Sequence, residues 1–187
     1  EIAYMLAKSE TSLDADEIEM LQGIFSLDEM MAREVMVPRT DTLMLDVDDE
    51  LAENLEIILN CSYSRLPLYE EDKDTVIGVV HVKDVFRAAR EQGFDNIDLR
   101  TLAHEPVFVP SRIFVDDLFV EFRKTRQHLA ILKDEYGGVE GIVTLEDLIE
   151  EIVGDIEDEY DEEEKEIVEI DENNSVIDAG ISLDRFN

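Results

Sequence analysis

Cysteine occurs once, at Cys61, so an intrachain disulfide and a thiolate metal cluster are excluded, and with them zinc ribbons and CxxC redox chemistry. Basic residues are scarce: 16 Lys and Arg stand against 49 Asp and Glu, a formal charge of −33. Such a field repels nucleic acid and anionic lipid and attracts cations, which argues against DNA or RNA as a partner. Long apolar runs are missing too. No stretch reaches the roughly eighteen residues needed to cross a bilayer, and no signal peptide with a basic flank is present, so these residues read as a soluble piece. Histidine is limited to His81, His104 and His128, with no HExxH or comparable ligand spacing, and Cys61 has no basic neighbour in sequence to activate its thiol. The pattern of an enzyme is absent.

What is present is 187 residues with 44% apolar content, enough to bury the core of one domain or two small ones. The chain starts at Glu1 and stops shortly after "NSVID", which predicts a fragment of a longer protein. Its most informative property is self-similarity at an offset of 63 residues. Leu55, Leu66, Val76, Gly78, Val80 and Asp84 align without gaps on Leu118, Leu129, Val139, Gly141, Val143 and Asp147, and Leu51, Leu59, Leu68 and Val79 align on the apolar Phe114, Phe122, Ile131 and Ile142.

Each copy reads as helix, strand, hairpin, strand, helix. Leu51, Leu55, Ile58 and Leu59 form a helical stripe, as do Phe114, Leu118 and Phe122. "RLPLY" and "HLAIL" are short β-type runs, and "VIGVVHV" and "VEGIVTL" are their partners across a turn, polar in the first copy and Tyr136-Gly137-Gly138 in the second. The closing helices align Val82, Val85, Phe86 and Ala89 with Leu145, Leu148, Ile149 and Ile152, and Gly154 is the expected C-cap. Ahead of the repeat, Asp14 with Glu17 and Ser26 with Glu29 have capping-box spacing, predicting two short helices with Ile18, Leu21 and Phe25 on one face. Behind it, residues 150–172 carry fourteen acids against Lys165 alone, a solvated helix end and linker without the D-x-D-x-D-G order of a calcium loop.

The repeat, with "EVMVPRTD" before it, "YSRLPLYEED" within it and "DEYGGVEGIVTLEDLIEEIVGDIEDEYDEE" closing it, resembles the tandem CBS domains of the CorC/HlyC hemolysin-like and CNNM family. The resemblance covers residues 30–160. It implies an α/β (α+β) fold: a tandem CBS-domain pair, or Bateman module, of two β-α repeats with pseudo-twofold symmetry. The expected boundaries are residues 1–31 for connector helices after a membrane domain and 32–92 and 93–156 for the repeats. An acidic linker over 157–172 and the truncated start of a transporter-associated domain over 173–187 would follow. It further implies a regulatory, non-catalytic unit that takes AMP or ATP with Mg2+, forms a homodimer, and controls magnesium or cobalt transport from the cytoplasmic face of the cell membrane.

Thr144 and Asp147 form T-x-x-D at a strand-to-helix joint, which is sufficient as a helix cap. The same pair, with the amides of a helix N-terminus, also suits a ribose diol and phosphate. The first copy keeps the acid, Asp84, but has His81 for the threonine, so Asp84 with His128 is the weaker second site. By the resemblance, Tyr63, Ser64, Arg65 and Pro67 face the ligand, with Arg65 the phosphate donor by its forked guanidinium. By the same resemblance, Val37 in "VMVP" stands where some relatives have "VMTP", and its missing hydroxyl calls one ligand hydrogen bond into question. Glu146 would lie near the phosphates, where a second anion calls for a bridging Mg2+ held mostly by phosphate and water. The rival reading is a dimerisation scaffold without a ligand.

Overall fold

The computed structural model describes residues 15–154, 167–171 and 174–177. They fall into two units, 1–154 and 155–187.

In the first unit, helix α1 (Ala15–Ser26) and the single turn α2 (Ala32–Val35) lead to strands β1 (Val37–Pro38) and β2 (Leu45–Asp46). Then follow helix α3 (Leu51–Asn60), strands β3 (Arg65–Glu70) and β4 (Asp72–His81) and helix α4 (Val82–Gln92). The short helix α5 (Leu99–Leu102) and strand β5 (Val107–Pro110) open the second copy, which continues as α6 (Val115–Thr125), β6 (Leu129–Lys133), β7 (Val139–Thr144) and α7 (Leu145–Val153). The helix–strand–hairpin–strand–helix order of both copies is as the repeat predicts.

Ser26 departs from the prediction. It closes α1 instead of opening a second helix: its hydroxyl donates back to the Gly23 carbonyl, and the turn over 27–29 separates it from α2. The box at the start of α2 is completed instead by Glu34, whose carboxylate accepts the Met31 N–H at 3.0 Å. Asp14 lies outside the described residues, as does the acidic run over 155–166.

Two mixed sheets result, ordered β2-β3-β4 and β1-β7-β6-β5. The parallel pairs match at the repeat offset: Leu45 faces Leu68 in one copy and Phe108 faces Ile131 in the other. The antiparallel hairpins differ by one residue, since Leu68 faces Gly78 while Leu132, and not Ile131, faces Gly141. The hairpin of the first copy turns at Glu71 with φ 65°, that of the second at Gly137 with φ 89°. Glycine takes that left-handed conformation without a Cβ penalty.

Each copy has its own core. Leu45, Ile58, Leu66, Leu68, Val80 and Val85 fill the first, and Val115, Leu118, Phe122, Leu132, Val143 and Leu148 the second. The predicted stripes are narrower than drawn, because Leu59 is 55% exposed and Phe114 serves as the N-cap of α6. A third cluster, with Met44, Val76, Val79, Leu129, Ile131 and Val139, joins residues of both copies. Burying one such side chain contributes on the order of 1.5–3 kcal/mol, so the copies are joined by a core and not by surface contact.

The lead-in segments are exchanged. β1 precedes the first copy in sequence but pairs with β7 of the second, Val37 opposite Ile142. The segment before β5 returns the exchange: His104 pairs with Val79 of β4, each donating its N–H to the other's carbonyl at 2.9 Å. Gly141 and Gly78 admit these crossings. A Cβ at Gly141 would lie 2.3 Å from the Val37 carbonyl oxygen, and one at Gly78 would lie 2.5 Å from the Ala103 Cβ.

The second unit shows strands β8 (Ile167–Asp171) and β9 (Asn174–Ile177) in an antiparallel pair, with Val168 opposite Val176.

Candidate functional site

Because β1 crosses to β7, Val37 lies beside the end of that strand and the start of α7, while the residues entering β3 close the opposite side. The result is a cleft of about 320 Å³, within the roughly 300–1,000 Å³ of small-molecule sites. Val37, Leu43, Leu66, Leu129 and Ile142 give it an apolar floor, and Tyr63, Ser64, Arg65, Thr144, Glu146 and Asp147 give it a polar lip. Of the residues singled out in the sequence for this site, only Pro67 is not part of the lining: it is buried within β3, opposite Val79. Asp41, Thr42 and Ser62 also line the cleft; Asp41 closes the "EVMVPRTD" stretch, and Thr42 and Ser62 carry no sequence signal of their own. Thr42 is buried, its hydroxyl donating to the Pro38 carbonyl at 2.9 Å, so it fastens the loop that follows β1.

Thr144 and Asp147 form a full capping box. The Thr144 N–H donates to the Asp147 carboxylate at 2.7 Å, and the Asp147 N–H donates to the Thr144 hydroxyl at 3.2 Å. The cap and the cleft are therefore one feature, with the first turn of α7 held rigid where it meets the cavity. Across the mouth, Arg65 from the first copy lies 3.7 Å from Glu146 of the second. Arg65 also approaches the Nδ1 of His128 at 3.4 Å, the residue 63 positions onward, so two repeat-equivalent side chains meet there.

The repeat-equivalent cleft is built from different residues. His104 occupies on β4 the place that Val37 occupies on β7, and His81, Lys83 and Asp84 stand where the first cleft has Thr144, Glu146 and Asp147. The His81 and His104 rings stack with centroids 4.1 Å apart. His104 Nε2 is 2.9 Å from Asp84 Oδ2, and Arg87 donates to Asp84 Oδ1 at 2.9 Å. The hydrogen bond from His104 holds the Asp84 carboxyl below its ordinary range against the opposing effect of burial, and burial first, then the neighbouring cations, disfavours the His81 imidazolium. Two imidazoles thus stand where the first cleft has Val37 and Thr144. His128, grouped with Asp84 from the sequence, lies against Arg65 at the first cleft, while the polar neighbours of Asp84 are His81, Arg87 and His104.

The comparison with known proteins agrees with this architecture. The CBS domain profile matches residues 27–91 and 98–154, both copies of the repeat. The chain belongs to the CBS-domain family. The chain is 37% identical over 177 residues to Hemolysin C of Brachyspira hyodysenteriae, covering 95% of this chain and 65% of that one. It is 36% identical over 190 residues to the magnesium and cobalt efflux protein CorC of Vibrio cholerae, covering 100% and 65%. The chain spans only 43 to 65% of the length of such relatives. Among solved structures, the CBS domain of the bacterial CNNM/CorC family Mg2+ transporter in complex with ATP superposes with a TM-score of 0.70 at 38% identity, covering 75% of this chain and 99% of that one. A CBS-domain pair with bound AMP from Klebsiella pneumoniae superposes with a TM-score of 0.62 at 28% identity, covering 67% and 99%. No helix among the described residues is long and apolar enough to cross a membrane.

Proposed function

We propose that the first cleft binds an adenine nucleotide, and that its occupancy controls a membrane-bound magnesium or cobalt transport domain in the same protein. The observation that carries this reading is the Arg65–Glu146 contact of 3.7 Å, which joins the two copies across the mouth of an apolar-floored cleft. A phosphate would compete with Glu146 for Arg65, because guanidinium pairs with phosphate oxygens in a fixed fork. Displaced, Glu146 becomes an anion beside a polyphosphate. Mg2+ between them removes that repulsion, which favours ATP with Mg2+ over AMP here. The adenine takes the apolar floor of Val37, Leu43 and Ile142, and Asp147 accepts from the ribose diol.

Control requires that the ligand favour one arrangement over another, since equal affinity shifts nothing. A route runs along α7. Its N-terminus carries Thr144, Glu146 and Asp147, and its last turn supports α1, where a Cβ on Gly23 would lie 2.8 Å from the Glu151 carbonyl oxygen. Movement at the mouth of the cleft would reach α1 and, through residues 1–31 as a connector, the preceding membrane domain on the cytoplasmic face. Residues 32–92 and 93–156 are then the sensing repeats, 157–172 an acidic linker, and 173–187 the beginning of a C-terminal domain.

Homodimerisation is supported by a repeated surface feature: Phe86 on α4 and Ile149 on α7, 63 positions apart, are 45% and 36% exposed. Equivalent apolar side chains left outside two separate cores suit a symmetric partner face.

Calorimetry with ATP, ADP and AMP, each with and without Mg2+, tests the nucleotide reading. Saturable binding of one ATP per chain, strengthened by Mg2+ and weakened in Asp147→Ala, is expected. A folded dimer that binds none of them is instead a scaffold.

A further inference from the structure

The second cleft presents a different chemistry. One nitrogen of His81, one of His104 and a carboxylate oxygen of Asp84 lie within 4.8 Å of one another, brought together from the end of β4, the first turn of α4 and the crossing segment before β5. Asp84 divides its two oxygens: Oδ1 accepts from Arg87, and Oδ2 faces both rings, 2.9 Å from His104 Nε2 and 3.9 Å from His81 Nδ1. His81 Nε2 is buried and has no hydrogen-bond partner among the described residues. The His81 nitrogen that faces Asp84 is Nδ1, which has no hydrogen bond shorter than that 3.9 Å approach among the described residues, so it is the atom placed to ligate.

We propose that His81, Asp84 and His104 form a binding site for a borderline divalent metal ion of the Zn2+ type. Two imidazoles and one carboxylate are the donor set that suits Zn2+, whereas Mg2+ demands mostly oxygen and water. Ligand atoms about 2.0–2.2 Å from one metal must draw closer than they stand here. His104 can supply that movement, because its side chain is 43% exposed while its backbone is pinned to Val79. Arg87 on the far oxygen of Asp84 orients the carboxylate as an outer partner of a metal ligand does. Of the nearby cations, Lys83 and Arg65 oppose a metal there, but Arg65 is engaged with Glu146 and the chain as a whole carries a charge of −33. A bound ion would tie the crossing segment at His104 to the first turn of α4, fixing the second cleft as the cap fixes the first. This site does not depend on the nucleotide reading, since it shares no ligand with the first cleft.

Zn2+ titration of the whole chain by calorimetry, with Co2+ as a visible-absorption surrogate, tests the site. The expected result is one site per chain with the intense bands of low-coordinate Co2+, unaffected by excess Mg2+ and weakened at least about tenfold in His104→Ala and in the isosteric Asp84→Asn. Arg65→Ala leaves it intact. Absence of saturable binding overturns the proposal, as does Zn2+ or Co2+ binding of undiminished affinity in both variants, which would place the ion on the acidic surface.

Discussion

The two clefts descend from one repeat, yet one is flanked by Val37 and Thr144 and the other by the stacked rings of His104 and His81. Three of the differences lie around the retained acid. Val37, Thr144 and Glu146 in the first become His104, His81 and Lys83 in the second, while Asp147 and Asp84 persist. Small apolar and hydroxyl side chains flank the acid in the first, and two imidazoles flank it in the second. The retained acid therefore changes partners: Asp147 caps its helix through Thr144, and Asp84 receives His104 and Arg87. One scaffold yields two chemistries by exchanging what flanks a fixed carboxylate.

The largest expected effect comes from breaking the crossing that shapes the first cleft. In Gly141→Ala the added methyl meets backbone, the Val37 carbonyl, so we expect about 3 kcal/mol of destabilisation in denaturant melts, at the upper end of overpacking costs, together with loss of nucleotide binding. Gly78→Ala meets the Ala103 methyl and should disturb the second cleft while sparing nucleotide binding. Next comes Asp147→Ala. Losing a charged acceptor weakens ATP binding by about 1.5–3 kcal/mol in calorimetry, roughly 10- to 150-fold, whereas Asp84→Ala leaves it unchanged. Equal losses from both would erase the asymmetry.

A reciprocal exchange sharpens the comparison. His81→Thr with His104→Val gives the second cleft the small side chains of the first, and the ATP stoichiometry should rise from one toward two per chain. The smallest effect concerns the junction between the copies. Asp74 accepts from the Val139 N–H at 2.7 Å and from Arg39 at 2.6 Å, and these contacts, the Val139 amide foremost, hold its carboxyl below the ordinary value of 3.8. A depressed folded-state value means stabilisation that is present above pH 3.8 and lost as pH falls below it. Asp74→Asn should therefore lower the melting temperature slightly at neutral pH, and the difference from the parent chain should vanish in acid.

Much of this was legible because it repeats. The 63-residue offset aligns Leu68 with Ile131 and Asp84 with Asp147, and local periodicity places the flanking helices and the hairpin strands of both copies, though not β2, β5 or α5. The first cleft was legible through Thr144 and Asp147, since a cap motif at a strand-to-helix joint is local. What escaped is long-range. The crossing of β1 onto β7 depends on Gly141 admitting a backbone from over a hundred residues away, and no pattern near Val37 announces it. His104 escaped for the same reason: its segment before β5 is four residues shorter than the one before β2, so the offset of 63 aligns it with Asp41 and not with Val37. Ser26 misled because its spacing to Glu29 fits a helix start, although the same hydroxyl satisfies a carbonyl at a helix end equally well.

The exchange of lead-in segments also sets the unit of inheritance. A cut in the chain between α4 and α5 would strand Val37 without its β7 partner and His104 without its β4 partner, so neither half would be a finished object. The duplication can be copied, fused or transplanted only as an indivisible couple.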